Sequence, residues 1–156
     1  MITIEIPGWG NVEVESIVMD LNGTIATDGK IPSKVKEKIK ALSEKASVYV
    51  LTVDTHGTAE EEVKDLNVEL VKIPGEESKK GKSEFLKTLL PETTVAIGNG
   101  SNDELIFKEA GLGIAVMGDE GISVSAMKHA DLVVKDILNA LDLFLKPKRL
   151  IATLRE

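Results

Sequence analysis

A doubly wound α/β architecture, with a mainly parallel sheet and an N-terminal β-hairpin, is what this sequence predicts. Three observations carry that prediction. Short apolar runs such as Ile17-Val18-Met19 and Val48-Tyr49-Val50-Leu51 read as strands buried on both faces. Stretches with apolar residues at helical spacing separate them. Strand and helix alternate about six times with short connections, the pattern of a sheet covered by helices on both faces.

Taken in order, residues 2–6 and 11–20 read as β, joined by the turn signal Pro7-Gly8-Trp9-Gly10, with Trp9 as a packing anchor. Val12 and Val14 alternate with Glu13 and Glu15 before the run becomes continuously apolar. Pro32-Ser33 opens a helix to about Ala46, with Val35, Ile39 and Leu42 on one face. Strand is expected at 47–52, helix at 58–66, strand at 68–73 and helix at 79–90. A short strand at 94–97 leads through a Gly/Asn loop into a helix over 103–110. Strand 113–116, helix 120–128, strand 132–134 and helix 135–145 follow, and Pro147 ends the last of these before an amphipathic tail, 148–156. Thr58 reads as a helix cap, with Glu61 completing a capping box.

With 156 residues and no linker, repeat or low-complexity stretch, residues 1–156 are expected to form one domain. Hydrophobic residues at 42% and charged residues at 29% exclude a disordered chain. The 19 Lys+Arg against 26 Asp+Glu leave a net charge of −7, which argues against nucleic acid or an anionic membrane as partner. With no cysteine, thiolate chemistry is excluded, and two histidines far apart in sequence argue against a His-rich metal site. No apolar run reaches the ~20 residues of a membrane span. Met1–Ile6 alternates like a strand and lacks the pattern of a secretion signal, so a cytoplasmic location is expected.

In a doubly wound sheet, ligands bind at the carboxyl ends of the strands. Three such ends carry glycines and oxygen-bearing side chains: Asp20-Leu21-Asn22-Gly23-Thr24, Thr52-Val53-Asp54-Thr55-His56-Gly57-Thr58 and Gly98-Asn99-Gly100-Ser101-Asn102-Asp103. The first begins like a calcium loop, but Ile25 and Ile31 stand where Gly and Glu are needed. The third half-imitates a dinucleotide fingerprint, but Asp103 would repel a pyrophosphate. Taken alone, Asp54 could equally order its loop, and His56 fits a loop or cap role better than catalysis.

Together the three loops resemble the haloacid-dehalogenase-like (HAD-like) hydrolase superfamily, and within it the phosphorylation domain of P-type ATPases. The superfamily's nucleophile motif D-x-D-G-T, or D-K-T-G-T in the ATPases, is similar to the Asp20 loop. The ATPases' T-G-D-x-x-x-T-A is similar to Thr52–Ala59, and G-D-G-x-N-D followed by G-I-A-x-G to Gly98–Asp103 and Gly113–Gly118. The superfamily's lysine fits Lys82, with Lys79 and Lys80 as rivals. The resemblance spans roughly residues 16–135 in the family's order and points to small soluble P-type-ATPase-like proteins without a membrane part.

What the resemblance implies is a Rossmann-like, HAD-type core with an aspartyl-phosphate mechanism. Asp20 would be the nucleophile, Thr52 and Lys82 would hold phosphoryl oxygens, and Asn22 would occupy the acid/base position. Gly23, Thr24, Val53, Asp54 and Asn102 would contact substrate. Magnesium would sit among Asp20, Asn22, Asn99 and Asp103, with Asp103 reaching it through water or steadying the lysine. Asn22 and Asn99 depart from the family, each putting an amide where an acid is usual. An amide cannot donate a proton as an acid does, a contribution worth ~10²–10⁴-fold, so phosphoanhydrides or acyl phosphates are favoured over alkyl esters. The stretches between Thr24, Thr52 and Lys82 are taken up by helix–strand connections, so no cap is expected. Capless relatives take large substrates or use a neighbouring subunit of a homo-oligomer as a lid. The competing expectation is a degenerate chain that binds phosphate or a partner without turnover.

Overall fold

The computed structural model describes residues 1–53 and 57–156. The chain begins with a two-stranded antiparallel hairpin, β1 (Ile2–Ile6) and β2 (Gly10–Val14), in the register Ile2 opposite Val14 and Ile4 opposite Val12. The alternation of the sequence is kept: the Ile and Val side chains are buried and the intervening Thr, Glu and Asn are exposed. Trp9 packs against the core from the hairpin turn.

The single run expected at 11–20 is broken at Glu15. There the backbone leaves the hairpin and starts two parallel ladders, its N–H donating to Thr93 O (2.9 Å) and its carbonyl accepting from Ser47 N (2.9 Å). Then follow β3 (Ser16–Asp20), α1 (Ser33–Ser43), β4 (Ser47–Thr52), α2 (Thr58–Val63), β5 (Glu69–Lys72) and α3 (Ser78–Leu86). The second half contributes β6 (Thr94–Gly98), α4 (Glu104–Glu109), β7 (Leu112–Val116), α5 (Val124–Met127), β8 (Leu132–Val134), α6 (Ile137–Leu145) and α7 (Lys148–Leu154).

Strands β3 to β8 form one six-stranded sheet in the order β5-β4-β3-β6-β7-β8, and every pairing in it is parallel. Side chains of one β3 face, Ile17 and Met19, join Val35, Ile39 and Phe144 in a core under α1 and α6. Val18 on the other face joins Leu86, Ile106 and Ala126 under α3, α4 and α5. The three-layer, doubly wound fold expected from the sequence is therefore observed, hairpin included.

Two local readings are corrected. The helix expected from residue 120 begins only at Val124. Residues Gly118 to Gly121 make a tight turn (Gly121 N to Gly118 O, 3.0 Å) with Gly121 at φ +77°, and Ser123 Oγ caps the helix at Ala126 N. The cap of α2 is not at Thr58. Gly57 occupies the cap position with a left-handed φ of +75°, and Glu61 pairs instead with Lys64.

The chain winds outward from β3 through β4 to β5, then returns to the other side of β3 and winds outward again through β6, β7 and β8. That reversal makes the carboxyl end of β3 the topological switch point, where a crevice must open between loops leading in opposite directions. Asp20 is the last residue of β3.

Candidate active site

After Asp20 the chain coils around one carbonyl. Leu21 N–H extends the ladder to Leu51 O, and Leu21 O accepts from Ile25 N (3.1 Å) and Ala26 N (2.9 Å). Closing this loop requires φ +83° at Gly23, a left-handed conformation that glycine adopts without cost. A side chain there would also have no room, since an ideal Cβ would lie 2.8 Å from Asn99 Nδ2 and 3.1 Å from the Glu120 carboxylate. The coil buries Thr24 and brings its hydroxyl within 3.3 Å of Asp20 Oδ2 and 3.1 Å of Asn99 Oδ1. A hydroxyl has one proton, so it serves one of these acceptors at a time.

Lys82 comes from α3 and is fully buried. Its ammonium donates to Asp20 Oδ1 (2.8 Å), Asn102 Oδ1 (2.9 Å) and Asp103 Oδ1 (2.7 Å). Of the three lysines weighed in the sequence, Lys79 instead pairs with Glu104, and Lys80 is exposed. Burial works against the Lys82 charge, but Asp103 and Asp20 outweigh it and raise the ammonium's pKa. Burial and the neighbouring Asp103 push the Asp20 carboxyl up to about 7, against the pull of Lys82 and Thr24.

Asp103 is fully buried, and its remaining oxygen accepts the backbone N–H groups of Asn99 and Gly100, both at 3.0 Å. Of its two expected roles, that of the lysine's partner is the one this geometry supports. The arrangement depends on Gly98: an ideal Cβ there would lie 2.3 Å from Asp103 Oδ2 and 2.5 Å from its Cγ. Gly98→Ala is therefore expected to displace the carboxylate that anchors Lys82 and to cost about 1–3 kcal/mol, as other overpacked sites do. Urea midpoints with unchanged m-values would show it.

Asn99 is oriented by its amide nitrogen, which donates to Gly121 O (3.2 Å). A carbonyl can only accept, so the amide oxygen is turned toward the Thr24 hydroxyl, which also lies beside Asp20. Asn99 O also accepts from Ser123 N (2.8 Å), tying the loop after β7 to the loop after β6.

A cavity of about 420 Å³ opens over these groups, lined by Asp20, Asn22, Val53, Asn99, Asn102 and Glu120 among others. Asn22 and Glu120 are exposed on its rim. Thr52 is buried at the end of β4, and its successor Val53 makes the wall on that side. Asp54 and His56 lie outside the described residues. A larger concavity, of about 550 Å³, lies at the opposite end of the strands, around Ser47 and Glu69 where β4 and β5 begin, away from every motif residue.

The sequence reading missed Glu120 as part of this wall. The signal was present, because Glu120 follows a strand end and sits in a turn bracketed by Gly118 and Gly121. The helix expected over 120–128 concealed it. Among the described residues no group of three or more His, Cys, Asp or Glu side chains is placed to hold a metal ion, and no helix is long and apolar enough to cross a membrane.

No family model matches the chain. An uncharacterised protein of Methanocaldococcus jannaschii is 56% identical over 62 residues, 40% of this chain and 67% of that protein. A soluble P-type ATPase-like phosphatase of the same organism is 25% identical over 140 residues, covering 87% of this chain and 51% of the phosphatase. The chain thus spans about half the length of that relative. Among solved structures, the cobalt-bound deoxy-D-mannose-octulosonate 8-phosphate phosphatase of Haemophilus influenzae superposes with a TM-score of 0.72 at 18% identity, covering 88% of this chain and 90% of its own. The corresponding phosphatase of Moraxella catarrhalis, solved with magnesium, phosphate and its sugar acid, gives 0.72 at 16% identity, covering 90% and 92%. The chain has the fold of the haloacid-dehalogenase-like hydrolases and aligns over most of its length with a soluble P-type ATPase-like phosphatase.

Proposed function

We propose that residues 1–156 act as one catalytic unit that hydrolyses a small phosphorylated compound through an aspartyl phosphate on Asp20. The observation that carries this reading is the bond from buried Lys82 to Oδ1 of Asp20, a residue that lines the cavity and keeps the Thr24 hydroxyl beside its Oδ2. The phosphatase neighbours and the P-type ATPase-like relative support it. Asp20 attacks phosphorus, the bond to the leaving group breaks, and the phosphoryl group stays on the carboxylate. Water then cleaves it, returning Asp20 and inorganic phosphate. In this reading Thr52 and Lys82 hold phosphoryl oxygens, and Gly23, Thr24, Val53, Asp54 and Asn102 line the substrate's path.

The donors also suit magnesium. They are hard oxygens, the Asn99 amide oxygen accepts from the Thr24 hydroxyl that also lies beside Asp20, and among the described residues Lys82 is the one cation paired with the carboxylates Asp20 and Asp103. Asp20, the Asn22 backbone carbonyl and Asn99 would hold the ion, with Asp103 acting behind Lys82. When bound, magnesium supplies charge neutralisation for the phosphoryl oxygens. The exposed rim at Asn22 and Glu120 leaves room for a large substrate, or for a neighbouring subunit as cover.

Asn22 narrows the substrate class. Its amide supplies no proton to a departing alkoxide, so acyl phosphates and phosphoanhydrides are the better donors. Incubation with acetyl phosphate and magnesium, followed by acid quench and peptide mass mapping, should find the phosphoryl group on Asp20. Bound phosphate with no covalent adduct would favour the second reading, a binding-only chain, which the amides at 22 and 99 motivate. Asn22→Asp should raise turnover of alkyl phosphate esters by about one to three orders of magnitude, the usual worth of an acid/base group. It should leave acyl phosphates nearly unaffected, and rates across a leaving-group series would separate the two.

A further inference from the structure

Hydrolysis of an aspartyl phosphate needs a group that takes a proton from the attacking water. Asn22, which occupies the position where the sequence pattern leads one to expect an acid, cannot take it. Asp103 is buried, with its oxygens given to Lys82 and two backbone N–H groups. Apart from Asp20, the described side chains lining the cavity are amides, a valine, a serine and Glu120.

The placement of Glu120 is built rather than incidental. It sits in the turn closed by Gly121 N to Gly118 O, and that turn is fastened to the loop after β6 at two points, Asn99 Nδ2 to Gly121 O and Ser123 N to Asn99 O. The result is a carboxylate beside Gly23, 3.1 Å from where a Cβ on that residue would lie. No cation among the described residues pairs with Glu120. The carboxylate also stands on the amide-nitrogen side of Asn99, whereas the Asn99 oxygen faces the Thr24 hydroxyl. That sets it apart from the Asn99 oxygen suited to a cation while keeping it in the lining of the cavity.

We infer that Glu120 is the general base for dephosphorylation, a role resting on the aspartyl-phosphate reading above. The water oxygen bonds to phosphorus while its proton passes to a Glu120 carboxylate oxygen. The bond from phosphorus to the Asp20 oxygen breaks, its electron pair returning to Asp20 as a carboxylate. The proton on Glu120 is then lost to solvent, and inorganic phosphate leaves. Asn99 is the positioning residue: its amide docks the turn that brings Glu120 into place, which a carboxylate facing the Gly121 carbonyl would not do.

The test follows the phosphoenzyme in the full chain. Wild type, E120Q and E120D are phosphorylated with acetyl phosphate and magnesium, the donor is removed, and the adduct on Asp20 is followed by intact mass. Thermal unfolding and circular dichroism of each variant establish that an exposed side chain has been changed without harming the fold. E120Q should acquire the phosphoryl group at the wild-type rate and lose it about 10²–10⁴-fold more slowly, the range for a lost base. E120D, which keeps a carboxylate on a shorter stem, should fall between the two. Equal decay in wild type and E120Q overturns the inference. So does slowed formation with unchanged decay, or a defect that excess magnesium abolishes, since either gives Glu120 a different task. A wild type that neither forms the adduct nor releases phosphate overturns the aspartyl-phosphate reading itself, and that failure is visible without any variant.

Discussion

Asp20→Asn should abolish phosphate release while making the metal-free protein more stable above neutral pH. The amide fills nearly the same space but is a far poorer nucleophile, and loss of a covalent nucleophile lowers turnover by about 10³-fold or more. The stability effect follows from where the carboxylate sits. Its pKa in the fold is about 7, against an ordinary value of 3.8, because burial and Asp103 disfavour the charge. A carboxyl with a raised folded pKa contributes its full stability below the unfolded value and loses it as pH rises through the folded one. Wild type should therefore weaken relative to the Asn variant between about pH 4 and 7, with a constant gap above that. Urea midpoints at several pH values in chelator would record the gap. Magnesium should close it, since an ion that binds the folded wild type stabilises that form alone. A variant that keeps wild-type turnover would remove Asp20 from the mechanism, and one that tracks wild type at every pH would remove the electrostatic argument.

Lys82→Met should be the most damaging single change to the fold. The ammonium is fully buried against Asp20, Asn102 and Asp103, so removing it leaves two carboxylates facing each other with their common cation gone. Breaking a buried ion pair from one side costs about 3–5 kcal/mol. For a chain of this size that corresponds to a fall of roughly 10 °C in Tm. The loss should shrink at acid pH, where protonation of Asp20, whose carboxyl burial pushes up to about 7, relieves the repulsion. Calorimetry at pH 5 and pH 8 would test both the size and the trend; a loss independent of pH would mean that packing, not charge, sets it.

Much of this was legible in the sequence, for identifiable reasons. Strands buried on both faces betray themselves by unbroken apolar runs, and β3, β4, β6 and β7 fell where those runs lie. A doubly wound sheet places function at strand ends, so Asp20, Asn22 and Asn99 could be singled out before any contact was known. Lys82 could be ranked but not chosen, because only packing reveals that Lys79 is taken by Glu104 while Lys82 is buried beside Asp20. The break at Glu15 was invisible because a strand leaving one sheet for another keeps its residue pattern. The turn at Gly118–Gly121 was misread because Glu120 is a good helix former, and no local preference reports that Asn99 has anchored the backbone beside it. Amide orientation is a property of partners far away in sequence, which is why the substitution at 99 reads as a loss until the fold shows its nitrogen in use.

The position of Asp20 also sets two very different clocks within the site. Its strand is paired along its length with β4 on one side and β6 on the other, in the middle of the sheet. Amide protons there exchange with solvent only through openings that approach complete unfolding. Glu120 belongs to the other extreme, a surface turn held by a few hydrogen bonds that can part while the sheet stays intact. The cavity thus has one wall on a central strand of the sheet and another on an exposed surface turn.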